Sequence, residues 1–349
     1  MTITDLAEHL GMTKGTVSRA LNDYADISET TKTRVRREAD RMGYRPHAQA
    51  QAVRTGRAKS IGLVLQIDEH DGQSPFLKDF IAGLTGATSE IGWTLTVGSA
   101  TSDDDMIQTM ARMVDERKVD GFVLPRARVN DHRLNYLTSQ GVPAILYGRS
   151  NFFAEDTAAY FDISGEDAME DAVMRLHALG HNRIGYVGGV DVFNFTHLRH
   201  EGYREGLDKA GLDYDAGLVR WGARTAQDGA DAFRSLIESS KPPTAVVFST
   251  DETALGAYHV ARDLGLRIGD DVSVVAYDGI PEADHSDPSL ATYRVDNRSA
   301  GHKLIEMLKA IIDGAPAPSQ RLLETAKFHA GGSISAPRRT SEELRAYIL

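Results

Sequence analysis

No cysteine occurs among the 349 residues, so neither a disulfide framework nor a thiol nucleophile is open to this chain. No apolar run approaches the roughly 20 residues that span a bilayer. No basic-then-apolar leader opens the sequence either, since Asp5 and Glu8 interrupt its start. A cytoplasmic chain with no membrane contact is the expectation. The signatures GxSxG, GxxxxGKS/T and HExxH are missing as well, and no carboxylate pair stands in a glycosidase-like context. The twelve histidines are scattered. His177 and His181 form an i, i+4 pair, but they bracket Leu179 and Gly180 at a helix end, where a cationic or capping role suits them better than a metal. The chain is therefore expected to be no enzyme, with no cofactor and no bound metal.

What is present is uneven. The hydrophobic content of 41% and the length suit two or three domains with real cores. Residues 1–57 carry ten Lys or Arg against seven Asp or Glu, a charge of +3 within a chain of net −11. A short basic head on an acidic body implies that only the head approaches a polyanion.

The head reads as three short helices. Thr2 with Asp5 makes a capping-box-like start, Ile3, Leu6, Ala7 and Leu10 recur at helical spacing, and Gly11 ends the run. Thr13 is placed to cap a second helix, TKGTVSRALN, whose Val17, Ala20 and Leu21 face inward and leave Lys14, Gly15, Ser18, Arg19 and Asn22 outward. A third helix begins at Ser28, buries Val35, Ala39 and Met42, and closes at Gly43. Two helices joined by a Gly-centred turn match the helix-turn-helix outline. A helix lying in a groove about 12 Å wide gains from small outward side chains that let its backbone come close. Thr16 and Ser18 suit phosphate oxygens, Arg19 suits a bidentate contact with guanine, and Lys14 reaches base or phosphate.

With TITDLAEHLG, TVSRALN, ISETTKTRV and GYRPHAQAQAVRTGR leading into SIGLVL, all in order and at matching spacing, the chain closely resembles the LacI/GalR (lactose-repressor) family of bacterial transcription regulators over nearly its full length. The resemblance implies a helix-turn-helix domain at 1–45, a hinge helix and linker at 46–59, and a core at 60–349. In that family the hinge helix folds on the operator and pushes an apolar side chain into the minor groove at the dimer axis. Val53 stands where leucine is usual, a shorter and stiffer wedge, and Gln51 replaces a frequent arginine.

The body has its own rhythm. Short apolar runs (SIGLVLQ, WTLTVGS, DGFVLP, PAILYG, RIGYVGG, TAVVFST, VSVVAYDG) alternate with amphipathic stretches, which predicts parallel sheets covered by helices. The expected fold is an all-α helix-turn-helix head plus an α/β core of two doubly wound, parallel-sheet subdomains. The resemblance makes these periplasmic-binding-protein-like, an N-subdomain at about 60–161 and 291–322 and a C-subdomain at about 162–290 and 323–337. Ligands of open α/β sheets sit outside the carboxyl ends of the strands, here QIDEHDGQSPF, YGRSN, GGVDVFNFTHLRHEGY, STDETALGA and YDGIPEADHSDPSLAT. Carried over by resemblance, the effector-binding positions are Ser74, Phe76, Arg149, Arg199, Thr250, Asp251 and Asp278, with Asp162, Phe193 and Phe195 as additions. Ser74 replaces the common asparagine, and Gly148 stands where an aspartate is frequent. Other readings of these residues stay open: Asp251 and Glu252 as helix caps, Phe193 and Phe195 as hydrophobic filler, Arg126 and Arg128 as solvated charges at a strand end.

The function these readings converge on is a sequence-specific DNA-binding regulator, a repressor. A small effector, a sugar or sugar derivative, bound between the core subdomains controls its operator affinity. Its expected partners are a near-palindromic operator and a second copy of the chain, since one helix-turn-helix covers too little groove. The alternative, a solute-binding receptor without a regulatory role, suits the body but leaves the head and the missing export signal unexplained.

Overall fold

The computed structural model describes residues 1–45, 56–66, 76–150 and 158–348, and the chain divides into two compact units, Met1–Lys59 and Ser60–Leu349. The expectations for Gln51, for Val53 and for most of the hinge helix lie outside the described residues, as does Ser74.

In the first unit, α1 (Ile3–Leu10) starts on a reciprocal capping box. Thr2 Oγ1 accepts from the Asp5 N–H, and the Asp5 carboxylate accepts from the Thr2 N–H at 2.8 Å. Gly11 ends the helix at φ 65°, in the left-handed region that favours glycine. Thr13 caps α2 (Lys14–Leu21) and Ser28 caps α3 (Glu29–Arg41), each accepting from the backbone N–H three residues on. Helices this short are marginal alone. What holds them is a core of Leu6, Ala7, Leu10, Val17, Ala20, Val35, Ala39 and Tyr44, against which Leu21 and Met42 pack half-buried. Lys32 is buried too, its ammonium turned back to Glu29 and Asp23.

The second unit holds two six-stranded sheets. In chain order the strands are β1 (Ser60–Gln66), β2 (Thr94–Ala100), β3 (Gly121–Leu124), β4 (Ala144–Tyr147), β5 (Tyr160–Ser164), β6 (Ile184–Val187), β7 (Val219–Arg220), β8 (Ala245–Phe248), β9 (Ser273–Asp278), β10 (Ala291–Arg294), β11 (Arg321–Thr325) and β12 (Lys327–His329). The first sheet runs β11-β5-β4-β3-β1-β2, all parallel. The second runs β12-β10-β9-β8-β6-β7, with β12 alone antiparallel. Both are doubly wound. β3, β6 and β8 are buried at every residue, because helices cover both faces and leave no side for alternating polar residues. Glycines let the covering helices meet. A Cβ at Gly202 would fall 2.0 Å from the Glu166 carbonyl oxygen of the facing helix, and one at Gly256 would fall 1.9 Å from that of Ala226.

The crossings between lobes fall a few residues later than the sequence suggested. Tyr160–Ser164 and Arg321–Thr325 are strands of the first sheet, so the chain leaves that lobe after 164 and after 325 rather than 161 and 322. Ala291–Arg294 belongs to the second sheet, so the return begins with the helix Asn297–Ile312. The physical reason is that two crossings fall at helix caps. Ser164 caps the helix Gly165–Ala178 of the second lobe, and Asp296 caps Asn297–Ile312 of the first. The polar residues at these steps read as helix caps and do not set the crossings apart from other helix starts in the sequence. The tail forms the helix Ser341–Ile348, with Leu344 buried in the second lobe's core.

Candidate functional site

The side chains expected to read a groove stand on and beside α2. Lys14, Gly15 and Arg19 are exposed, while Thr16, Ser18 and Asn22 are half-buried. Thr13 Oγ1 is occupied in capping, 3.1 Å from the Thr16 N–H and 2.9 Å from the Thr16 hydroxyl. The Asn22 amide donates back to the Ser18 carbonyl at 2.6 Å. The Arg19 guanidinium pairs with Asp26 and lies 5.4 Å from the centre of the Tyr24 ring. A nucleic acid would have to draw it from an ion pair that is half in solvent, the kind worth least.

The second unit has a cleft of about 190 Å³ at the carboxyl ends of both sets of strands. Of the expected effector residues, Phe76, Arg149, Arg199, Thr250 and Asp278 line it, together with Asp162, Phe193 and Phe195. Arg149, just past β4, donates through Nε to Asp162 at 2.7 Å and through Nη2 to Glu166. Burial works against its charge, but these two carboxylates outweigh burial and hold its pKa above the ordinary range. Asp162, half-buried beside it, is raised all the same, because desolvation outweighs the pull of Arg149. Arg199 comes from the helix Asn194–Lys209. It donates through Nη1 to the Ser249 carbonyl at 2.5 Å, and its guanidinium lies over Tyr277 at 3.9 Å and Phe195 at 4.8 Å. Its buried Nε has no partner, and a Cβ at Gly165 would come within 2.8 Å of its Cγ, so that glycine makes room for it.

Asp278, the last residue of β9, faces Arg199 Nη2 at 3.8 Å and adopts φ 128°. A non-glycine residue held there stores strain, a state that persists only where the surroundings enforce it. Burial pushes its carboxyl up to about 7, against the opposing pull of Arg199. A folded-state pKa above the ordinary value contributes stability while the group is protonated, and that contribution is lost as pH rises from about 4 through about 7. The melting temperature of the wild type relative to Asp278→Asn should therefore fall across that window and level off above it. A difference that stays flat from about pH 4 to pH 8 would remove Asp278 from this role.

Four expectations need correction. Asp251 does not reach the cleft: it is fully buried, accepting from the Gly279 N–H at 2.7 Å, the Ile280 N–H at 3.0 Å and the Thr292 hydroxyl at 2.6 Å. It is not the cap either, since Thr250 caps the helix Asp251–Asp263. Arg126 and Arg128 are not fully solvated: the first is half-buried and the second buried. Arg126 lines the cleft between Phe76 (5.1 Å) and Phe193 (5.6 Å), and Arg128 is buried, bonded to Gln66 at 2.9 Å and paired with Asp103. Phe193 and Phe195 stack 5.6 Å apart at 10° on the cleft wall rather than filling the core. His181 is no helix-end cation: burial lowers its pKa, and its ring bonds to Thr244, Ser273 and the Ser335 carbonyl.

Sequence reasoning also missed Tyr147, whose hydroxyl donates to Asn297 at 2.7 Å inside the cleft, and Tyr277, which underlies Arg199. The signal for both was a tyrosine at or next to the last residue of a strand. Among the described residues, no three His, Asp or Glu side chains are grouped to hold a metal ion, and no helix is long and apolar enough to cross a membrane.

Comparison with known proteins agrees with both units. The pattern of bacterial regulatory proteins of the lacI family matches residues 2–47, and that of the periplasmic binding protein-like domain matches 173–334. The HTH-type transcriptional regulator AglR of Rhizobium meliloti (strain 1021) is 31% identical over 342 residues, 97% of this chain and 96% of that protein. The transcriptional regulator CelR–cellobiose complex is 28% identical with a TM-score of 0.74, covering 95% of this chain and 99% of that one. The lac repressor dimer bound to operator and the anti-inducer ONPF superposes with a TM-score of 0.81 at 22% identity, over 96% and 99% of the two chains, a likeness of fold.

Proposed function

This chain belongs to the LacI family of bacterial regulatory proteins and is a DNA-binding transcription regulator, and from that premise we propose that it is a repressor whose operator affinity is set by a sugar or sugar derivative held in the cleft. The observation that carries this reading is the cleft wall, which combines the fixed guanidiniums of Arg149 and Arg199 and the carboxylates Asp162 and Asp278 with the flat faces of Phe76, Phe193 and Phe195. Ring hydroxyls call for such charged donors and acceptors, and the apolar face of a sugar ring calls for an aromatic plane. The solved complex of CelR with cellobiose supports the same ligand class. The domain division of the reading is a head at 1–45, a linker at 46–59 carrying Val53 to the minor groove, and a core beyond it, with Ser74 bordering the ligand.

The regulator works as a homodimer on a near-palindromic operator, because one helix-turn-helix buries too little groove for tight binding. Ligand closing the cleft changes the angle between the first lobes of the dimer and so decides whether two hinge segments meet over the operator. The ligand acts as an inducer. Light scattering should give the mass of two chains at micromolar concentration; a mass of four would overturn the dimer.

The test of the ligand class is a thermal-shift screen against neutral sugars, sugar alcohols, phosphosugars and purines. Ligand at 100-fold its dissociation constant adds about 2.7 kcal/mol to stability. A shift with a neutral sugar is the expected result, and a shift with purines alone would contradict it. On the DNA side, Arg19→Ala should cost about 1–3 kcal/mol on an operator selected from a randomised duplex library and much less on random duplex. Equal losses on both would demote Arg19 to a phosphate contact.

A further inference from the structure

Two loops from opposite lobes are stitched together beside the cleft. One follows β3 in the first lobe, and the other follows β6 in the second. The Val129 N–H donates to the Val192 carbonyl at 3.1 Å and the Asn194 N–H donates to the Ala127 carbonyl at 3.0 Å, with Arg128 and Phe193 facing as an antiparallel bridge between them. A side chain adds a further bond: Asn194 Nδ2 donates to the Arg149 carbonyl at 2.7 Å. Asn194 is only 1% exposed, and it is the first residue of the helix that carries Arg199. The first-lobe loop is stiff, because the buried Asp131 carboxylate accepts from the Arg128 N–H at 3.2 Å and pairs with the buried Arg133.

We propose that Asn194 is a positioning residue that sets the spacing between the two lobes. Its amide ties the residue bearing one cleft guanidinium, Arg149, to the helix bearing the other, Arg199. This rests on the reading of the cleft as the effector site for its regulatory meaning, but not for the lobe spacing itself. The two backbone bonds of the clasp are available to any sequence, whereas the bond to the Arg149 carbonyl needs a side-chain donor of this length at this position. Separating the lobes leaves both a buried amide and a carbonyl to be satisfied by water. The bond therefore biases the equilibrium toward the closed arrangement, and a bias of that kind multiplies the apparent affinity of any ligand that needs both arginines.

Two substitutions isolate the bond. Asn194→Ala removes the donor and keeps the backbone N–H. Asn194→Asp conserves volume but turns a carboxylate toward the Arg149 carbonyl, where an acceptor meets an acceptor. The chain has no cysteine, so spin labels can be placed through Gln108→Cys on the first lobe and Glu205→Cys on the second, both exposed. Labelled chain is diluted into unlabelled chain, and lobe-to-lobe distances are read by pulsed electron spin resonance without any ligand. The expected result is a larger share of the short, closed distance in the wild type than in either variant, with Asp losing more of it than Ala. Distributions that match the wild type in both variants overturn the proposal. If Ala fails to fold, Asp decides, and unfolding of both would make Asn194 a structural residue and overturn it equally. Since no sugar enters this measurement, its failure is separate from a failure of the ligand reading. Where the thermal-shift screen yields a sugar, Asn194→Ala should weaken that sugar roughly three- to tenfold and, because closure releases the operator, should bind operator at least as tightly as the wild type in its absence.

Discussion

Replacing Arg199 with alanine should weaken effector binding at least about 100-fold and abolish the ligand response, while operator binding in the absence of ligand stays intact. The size follows from the setting. Arg199 is 8% exposed, anchored by the Ser249 carbonyl, sandwiched by Tyr277 and Phe195, and opposite Asp278. A charged donor fixed in this way loses little rotamer freedom on binding, and desolvation strengthens each bond it makes to a hydroxyl. Its loss would also leave the Asp278 carboxyl without its main cationic neighbour, moving it still higher and favouring the neutral acid over the charged acceptor. Isothermal titration with the sugar found by thermal shift, beside operator titration of the same variant, reads both halves. A variant that binds the sugar normally would remove Arg199 from the site, and one that does not fold would make it structural.

The second large effect is on stability. Asp251→Ala should cost about 3–5 kcal/mol, because it strips the acceptor from two buried donors and a half-buried one at once. Those donors are the N–H groups of Gly279 and Ile280 and the Thr292 hydroxyl. Burial raises the carboxyl to about 6 against these bonds, so it is largely ionised at neutral pH, and its charge is held by these three donors. Gly279 and Ile280 directly follow Asp278, so the variant should also slacken the strained residue facing Arg199. Urea unfolding at pH 7.5 measures the cost; a loss below about 1 kcal/mol would mean that the pocket of donors relaxes or admits water.

The head was legible because its signals are local. Thr2 with Asp5, Thr13 and Ser28 each cap within three residues. The strands of the core announced themselves by continuous apolar runs, the strand-end rule pointed to the loops around the cleft, and the family resemblance singled out Arg149, Arg199 and Asp278 among them. What sequence did not reveal depends on who faces whom. Asp251 follows a strand end like a ligand residue, yet its carboxylate turns to the neighbouring loop and strand β10 rather than to the cleft. Arg126 and Arg128 stand two residues apart in one polar run, but one is sandwiched in the cleft and the other is clamped by Gln66 and Asp103 from other elements. The lobe crossings were misplaced by a few residues because capping serines and aspartates lie on both sides of a boundary and mark helices, not lobes.

We propose that one chain joins a DNA-reading head to a sugar-gated core, and operator titration tests this most directly. Fluorescence anisotropy of the full-length protein on its selected operator would be measured without ligand and with each sugar that raises the melting temperature. Operator affinity should fall at least tenfold at saturating sugar, with the concentration for half effect matching the calorimetric dissociation constant, since the coupling is reciprocal. Operator affinity that is the same with and without a sugar that demonstrably fills the cleft would contradict it.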